Sequence, residues 1–365
     1  MKVTSVRLGL LLLGLRMLTV QAATEPHIDP FVRHTTPVAD HVWLIFNSLT
    51  STQPPFEGNA VVFEQSGGLV VVDAGGCPRS GDNLVGQIRA ISRKPVRYLI
   101  YTHYHGDHNL GAGAFRSAWP GVTIISTTRT RDSMAGAPMK YIATYDRSNA
   151  EMVEYAHKRL QRSDLSPSLR RGWQHLADIG DEFVAGYKNL RAYPADVTFD
   201  GALNLPDSVT PLEVRFLGLA NTDGDAIVWA PEQRVVATGD IVVYPVPYAA
   251  ASFPGEWIKV LAALQALEYK ALVPGHGPVL RDGKYVDQLS AALTEVKRQV
   301  SDLVESGKNL DQVRKDVNLD GLRDAFDGGD DWNRARFGDF FLDPILGNAY
   351  KEAKGEPIVQ GSDAG

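Results

Sequence analysis

Cysteine is nearly absent: Cys77 is the only one among 365 residues, so no internal disulfide can form and stability must come from packing. It sits in Asp73-Ala74-Gly75-Gly76-Cys77-Pro78 with no histidine beside it, which makes an inert buried thiol the expectation rather than a nucleophile. Positive charge is also scarce. Lys and Arg number 37 against 43 Asp and Glu, the formal net charge is −6 and no basic patch stands out, so neither nucleic acid nor an anionic membrane is an expected partner. No run reaches the roughly 18 apolar residues that a membrane span needs. A Gly-rich phosphate loop, a redox Cys pair, a nucleophilic Ser elbow and internal repeats are missing too, which removes several enzyme classes at once.

The apolar run that does exist is short and lies at the start. Lys2 and Arg7 accompany the apolar stretch 8–15, and Val20-Gln21-Ala22 offers a small-residue cleavage site, so residues 1–22 read as a signal peptide and the mature protein as periplasmic or secreted. Loss of Lys2, Arg7 and Arg16 takes the net charge from −6 to −9 and leaves no membrane attachment. Residues 23–365 read as a single domain with decorations: a helical insertion over about 133–190 and a helical C-terminal extension over about 285–365.

Hydrophobic periodicity orders the rest. Strands are expected at 42–46, 60–64 and 69–73, then a helix carrying Leu84, Val85, Ile88 and Ile91 behind a Ser80 cap. A strand at 96–100, a helix over 110–118 and a strand over 122–126 follow. The insertion has few β-branched residues and helix-prone stretches at 150–161 and 169–179. Its methionines and aromatics, among them Tyr141, Tyr145, Trp173 and Tyr187, suit the packing of an inserted helix pair, with the lining of a substrate entrance as the alternative. Strands resume at 197–199, 212–217 and 226–229, the last forming a hairpin with 234–238. An amphipathic helix through Trp257, Val260, Leu261 and Leu264 leads to a short strand at 271–273, and helices run on to the end. Two strand-rich halves, each with its own helices, imply two sheets packed face to face with helices outside.

The most specific feature is His103-Tyr104-His105-Gly106-Asp107-His108, directly after the strand at 96–100. Side chains two apart in an extended segment point the same way, so His103 and His105 can share one ion, while Asp107 and His108, beyond the Gly106 turn, reach a second. Two further turns end strands with metal-type residues: Gly239-Asp240 and Pro274-Gly275-His276-Gly277. By contrast His157 and His175 in the insertion read as ordinary surface or packing residues, with a substitute metal ligand as the alternative, and His27, His34 and His41 near the mature start as solvent-facing or strand-edge residues. Residues 316–327 carry part of the spacing of an EF-hand loop, but Arg323 stands where an apolar residue belongs, which favours an acidic helix-turn surface.

In order and spacing these features, over roughly 42–279, resemble the metallo-β-lactamase superfamily, whose hallmark is His-x-His-x-Asp-His. The resemblance implies an α/β (α+β) fold, a four-layer αββα sandwich of two packed mixed sheets with outer helices. It implies a binuclear site, usually zinc, with His103 and His105 on the first metal, Asp107, His108 and His276 on the second, and Asp240 bridging. One position departs from the family. Gly218-Leu219-Ala220-Asn221-Thr222-Asp223-Gly224-Asp225 places Asn221 where a further first-metal His is expected, and a neutral amide is a poorer zinc ligand than imidazole. One firmly held zinc and a second that is weak or absent are therefore expected, with Asn221 a weak ligand and Mn or Fe as other metals. Asp73 and Asp225 are candidates for positioning the ligands or fixing their loops.

The chemistry implied is hydrolysis by a metal-activated water, with Asp107 orienting it or taking its proton. Asp240, rather than the Cys or Ser that many β-lactamases have at this place, makes the site resemble the glyoxalase II branch. An exported hydrolase of a small ester, thioester or lactone is the leading expectation, and a β-lactamase the rival. A non-catalytic binding or accessory protein with a degraded first site is the reading from another class.

Overall fold

The computed structural model describes residues 29–47 and 57–361. The expected signal peptide and His27 lie outside the described residues. The first sheet takes its strands in chain order: β1 (Arg33–Ala39), β2 (Val42–Asn47), β3 (Ala60–Gln65), β4 (Gly68–Val72), β5 (Val96–Ile100), β6 (Thr123–Thr127) and β7 (Val197–Phe199). From β1 to β4 it is an antiparallel meander, and from β4 onward the strands run parallel. Parallel neighbours need crossovers, which helices supply. These are α1 (Pro78–Ile91), α2 (Ala112–Ala118) and, between β6 and β7, α3 (Thr128–Ala135), α4 (Tyr145–Leu160) and α5 (Pro167–Gly186).

The second sheet holds β8 (Ala202–Leu205), β9 (Leu212–Phe216), β10 (Ala226–Ala230), β11 (Val235–Ala237) and β12 (Ala271–Val273), in the order β12-β11-β10-β9-β8. Its one parallel pair, β11 with β12, is bridged by α6 (Pro254–Gln265). Beyond β12 the chain is helical: α7 (Lys284–Glu305), α8 (Leu310–Asp316), α9 (Asp320–Asp327), α10 (Asp331–Arg336) and α11 (Asp343–Lys354).

Alternation along each strand separates three apolar layers. Val61, Phe63, Val70 and Val72 point from the first sheet to Val214, Val228, Val235 and Val273 of the second. The alternate residues Val62, Val71 and Leu99 turn outward onto Leu84 and Ile88 of α1 and Phe115 of α2. On the opposite outside, Ile227, Val236 and Leu272 meet Trp257 of α6 and Leu289 of α7. Each such buried side chain contributes about 1.5–3 kcal/mol relative to exposure. Two sheets flanked by helices, with extra helices inserted and appended, make the αββα sandwich expected from the sequence.

Some local expectations change. The cap of α1 is Cys77, whose Sγ accepts from Ser80 N, and Ser80 lies inside the helix with its hydroxyl turned to Glu57. Cys77 is fully buried, and burial pushes its thiol well up, as expected of an inert residue. Strands β1 and β8 have no counterpart in the sequence reading, because Pro37 interrupts one and the other is four residues long. The segment with EF-hand spacing is helix α9, whose Asp327 is buried against Arg334 and Arg323.

Candidate metal centre

The site lies where strands end. Asp73 follows β4, Thr102 and His103 follow β5, Asp240 follows β11 and His276 follows β12, while Asn221 and Asp225 occupy the loop between β9 and β10. Backbone bonds tie these ends together: Gly275 N donates to Gly239 O (2.8 Å), Ala226 N to Thr102 O (2.8 Å) and Asn59 N to Gly275 O (2.7 Å). The approach is so close that a Cβ on Gly275 would fall 2.0 Å from Asp240 Oδ1.

Two groups of side chains converge, each with its ligand-type atoms within 4.8 Å of one another: His103, His105 and Asp240, and Asp107, His108 and His276. Asp240 faces both. Its Oδ2 is 3.5 Å from His103 Nε2 and 3.9 Å from His105 Nδ1, and its Oδ1 is 3.2 Å from His108 Nε2 and 3.6 Å from His276 Nε2. In the second group Asp107 Oδ2 is 3.0 Å from His276 Nε2 and 3.3 Å from His108 Nε2.

Behind these atoms stand groups that fix their orientation. Asp73 accepts from Thr102 N and Oγ1 and lies 2.8 Å from His108 Nδ1, which turns Nε2 of that ring toward Asp107 and Asp240. His103 Nδ1 is 2.9 Å from Thr102 Oγ1. Asp225 accepts from Thr222 N (2.6 Å), a bond that closes its loop, and burial pushes its carboxyl up to about 8. Asn221 is fully buried, with neither amide atom hydrogen-bonded, in a loop tied to Thr102 through Ala226 N.

Electrostatics separate the imidazoles. Burial, then repulsion from His108, pulls His103 down to about 4, although Asp240 opposes this. Burial acts the same way on His108, but Asp107, Asp240 and Asp73 outweigh it and hold the ring well above its ordinary value. For Asp107 burial would raise the pKa, and the His108 and His276 rings overcome it and keep the carboxylate ionised. Buried atoms with a lone pair and no hydrogen-bond partner, His103 Nε2, Asp240 Oδ1 and the Asn221 amide oxygen, suit a cation-binding centre of imidazole and carboxylate donors. The residues present fit divalent ions at two places.

A cavity of about 570 Å³ opens onto Asp107, Asp240 and His276. Its walls are aromatic and apolar: Tyr141 and Tyr145 from the segment between β6 and β7, Val243 and Tyr248 after β11, and Phe340 after α10. The inserted aromatics therefore divide. Tyr141 faces the cavity, Trp173 packs against Trp332, and Tyr187 is buried among Phe31, Phe183 and Tyr145. His157 and His34 are exposed, and neither they nor His175 join a metal-type group.

The sequence reading missed a supporting layer. Asn59 Nδ2 donates to Pro274 O and Gly277 O, clamping the turn that carries His276, and a Cβ on Gly58 would sit 2.4 Å from the His108 ring. Glu57 is buried under four donors, Arg33 Nη2, Ser80 Oγ, Gly76 N and Tyr187 OH, and so ties the start of β1, α1 and the end of α5 to the floor beside Asp107. The only local signal was a Glu-Gly-Asn step before an apolar strand, and its partners lie up to 218 residues away.

Paired His/Asp groups sharing a carboxylate at the edge of an αββα sandwich define a metal-dependent hydrolase. The chain belongs to the metallo-β-lactamase superfamily, whose family model matches residues 54–276. A linear primary-alkylsulfatase of Pseudomonas sp. is 24% identical over 280 residues, 71% of this chain and 49% of that protein, so the chain spans about half the length of this curated relative. In structure, a stereoselective inverting sec-alkylsulfatase of Pseudomonas sp. matches with a TM-score of 0.63 and 15% identity, over 91% of this chain and 51% of its own. A metallo-β-lactamase from Pontibacter korlensis matches with a TM-score of 0.50 and 18% identity, over 72% of this chain and 99% of its own. These structural likenesses speak for the fold.

Proposed function

We propose that the protein hydrolyses an ester of an apolar alcohol, a sulfate ester in the first place, in a cavity whose far walls hold the hydrocarbon. The observation that carries this reading is the joining of the His/Asp cluster to aromatic walls built by the inserted and C-terminal helices. The alkylsulfatase similarity supports sulfate as the acyl-like part. A carboxylic ester, thioester or lactone, the glyoxalase II-like reading, is second, favoured by Asp240 at the place where it faces both groups.

In this reading His103, His105 and Asp240 would hold one divalent ion, and Asp107, His108, His276 and Asp240 the other, with zinc best matched to this donor set and Mn or Fe as alternatives. Such ions, when bound, lower the pKa of a coordinated water toward about 7 and draw charge from an ester oxygen. The chain's own residues do the rest. Asp107, the most exposed carboxylate of the cluster, orients the attacking water or takes its proton at the carboxylate oxygen turned away from His276. Asp240 sets the spacing of the two groups. Tyr141 keeps its phenol proton, since burial and the nearby Asp107 push its pKa up, and its hydroxyl is anchored by Gly106 N at 2.9 Å. The first group is the weaker, because Asn221 is the only amide offered where an imidazole is expected. Export after cleavage of residues 1–22 and a single domain over 23–365 belong to the same proposal.

A substrate panel tests it: octyl sulfate, a thioester, an acyl-homoserine lactone and a chromogenic cephalosporin, each with the metal-loaded protein. Sulfate release from octyl sulfate at least about 10-fold faster than turnover of the others is expected, a preference worth about 1.4 kcal/mol. Turnover of the thioester or lactone alone would move the assignment to the second reading, and of the cephalosporin alone to a β-lactamase. No turnover at full metal content would leave the accessory-protein reading.

A further inference from the structure

Arg336, the last residue of α10, is only 8% exposed, yet among the described residues no carboxylate, carbonyl or hydroxyl is bonded to it. The Phe340 ring lies 5.5 Å from the guanidinium carbon, Tyr285 is the titratable group that acts on it, and its Nε has no hydrogen-bond partner. Burial pulls it down to about 10, which leaves it charged at neutral pH. Structural arginines that are this deeply buried are paired, because an isolated interior charge is costly. Arg336 instead lines the cavity that holds Asp107, Asp240 and His276. A chain of rings leads to it from the metal-type cluster: His105 lies 5.5 Å from Tyr248, Tyr248 lies 6.2 Å from Phe340, and Phe340 carries the guanidinium. Arg147, the other arginine on the wall, is exposed and screened by water.

We infer that Arg336 is a specificity residue that pairs with a carboxylate at the end of the substrate opposite the ester, the apolar body lying along Tyr248 and Phe340. A planar guanidinium with five donors matches a carboxylate in a two-point bond, and burial beside the Phe340 ring strengthens it. The inference rests on the cavity being the substrate's seat, and not on which ester is cleaved there.

The test is equilibrium binding of decanoate and of decanamide, its neutral counterpart, to the wild-type protein and to Arg336→Met, which keeps the length and apolar packing of the stem. The wild type should favour decanoate by at least about 10-fold. In Arg336→Met, decanoate should weaken by roughly 10- to 100-fold, the effect of losing a charge-assisted hydrogen bond, while decanamide stays within about 2-fold. A variant that keeps the wild-type preference would place the carboxylate at the His/Asp cluster instead, and one that loses both ligands equally would make Arg336 a packing residue. Either result overturns the inference. If Arg336→Met does not fold by circular dichroism, Arg336→Gln, neutral but still polar, is read by the same criteria. Because no turnover is measured, inactivity on every ester would count against the proposed function alone.

Discussion

The two halves of the metal-type cluster differ in what stands behind them. His108 leans on a buried carboxylate, Asp73, at 2.8 Å, and the turn carrying His276 is clamped twice by Asn59. His103 has only the Thr102 hydroxyl at 2.9 Å, and the loop expected to complete its group brings Asn221 with both amide atoms unpaired. The ligand-type atoms of each group lie within 4.8 Å of one another, and the contrast is sharpest in their support. A carboxylate behind an imidazole fixes its tautomer and raises its basicity, and a hydroxyl does this less. The cluster is thus asymmetric in what stands behind its two groups.

Replacement of the residue the halves share has the largest expected effect. Asp240→Ala removes one oxygen from each group, and metal affinity at both should fall by at least about 100-fold, measured as metal content after gel filtration. Retention of one full equivalent would show that the groups are independent. Next, Asp73→Asn should weaken the second group by about 10- to 100-fold and leave the first unchanged, which a calorimetric metal titration resolves as one class of site moving and one staying. Equal weakening of both would mean that Asp73 holds the whole floor, through its bonds to Thr102, rather than His108 in particular. The smallest effect is a gain: Asn221→His should tighten the first group by about 10-fold in the same titration. No gain would show that the β9–β10 loop does not present its side chain to His103.

Much of this was legible from local pattern. The motif at 103–108, the turns at Asp240 and His276, and the alternation that buries both faces of β3, β4 and β10 depend on neighbours one or two residues away. Strand β1 escaped because Pro37 breaks its pattern, and the Ser80 cap was misplaced because Ser80 is claimed by Glu57, 23 residues earlier. Glu57 and Asn59 could not be read as supports, since what they support is far off in the chain: Tyr187 lies 130 residues on, and Pro274 and Gly277 more than 200.

The sequence by itself determined the candidate donor residues, their sandwich scaffold and the one departure from the family pattern, because the identity of a side chain and the period of a strand are local properties. Only the tertiary structure decided how the donors are backed, that Asp240 turns one oxygen to each group, and that Arg336 from a distant helix, with no ion pair among the described residues, shares their cavity. These depend on which strand ends and helices meet in space, and that is set by the packing of the three apolar layers, which no spacing along the chain records.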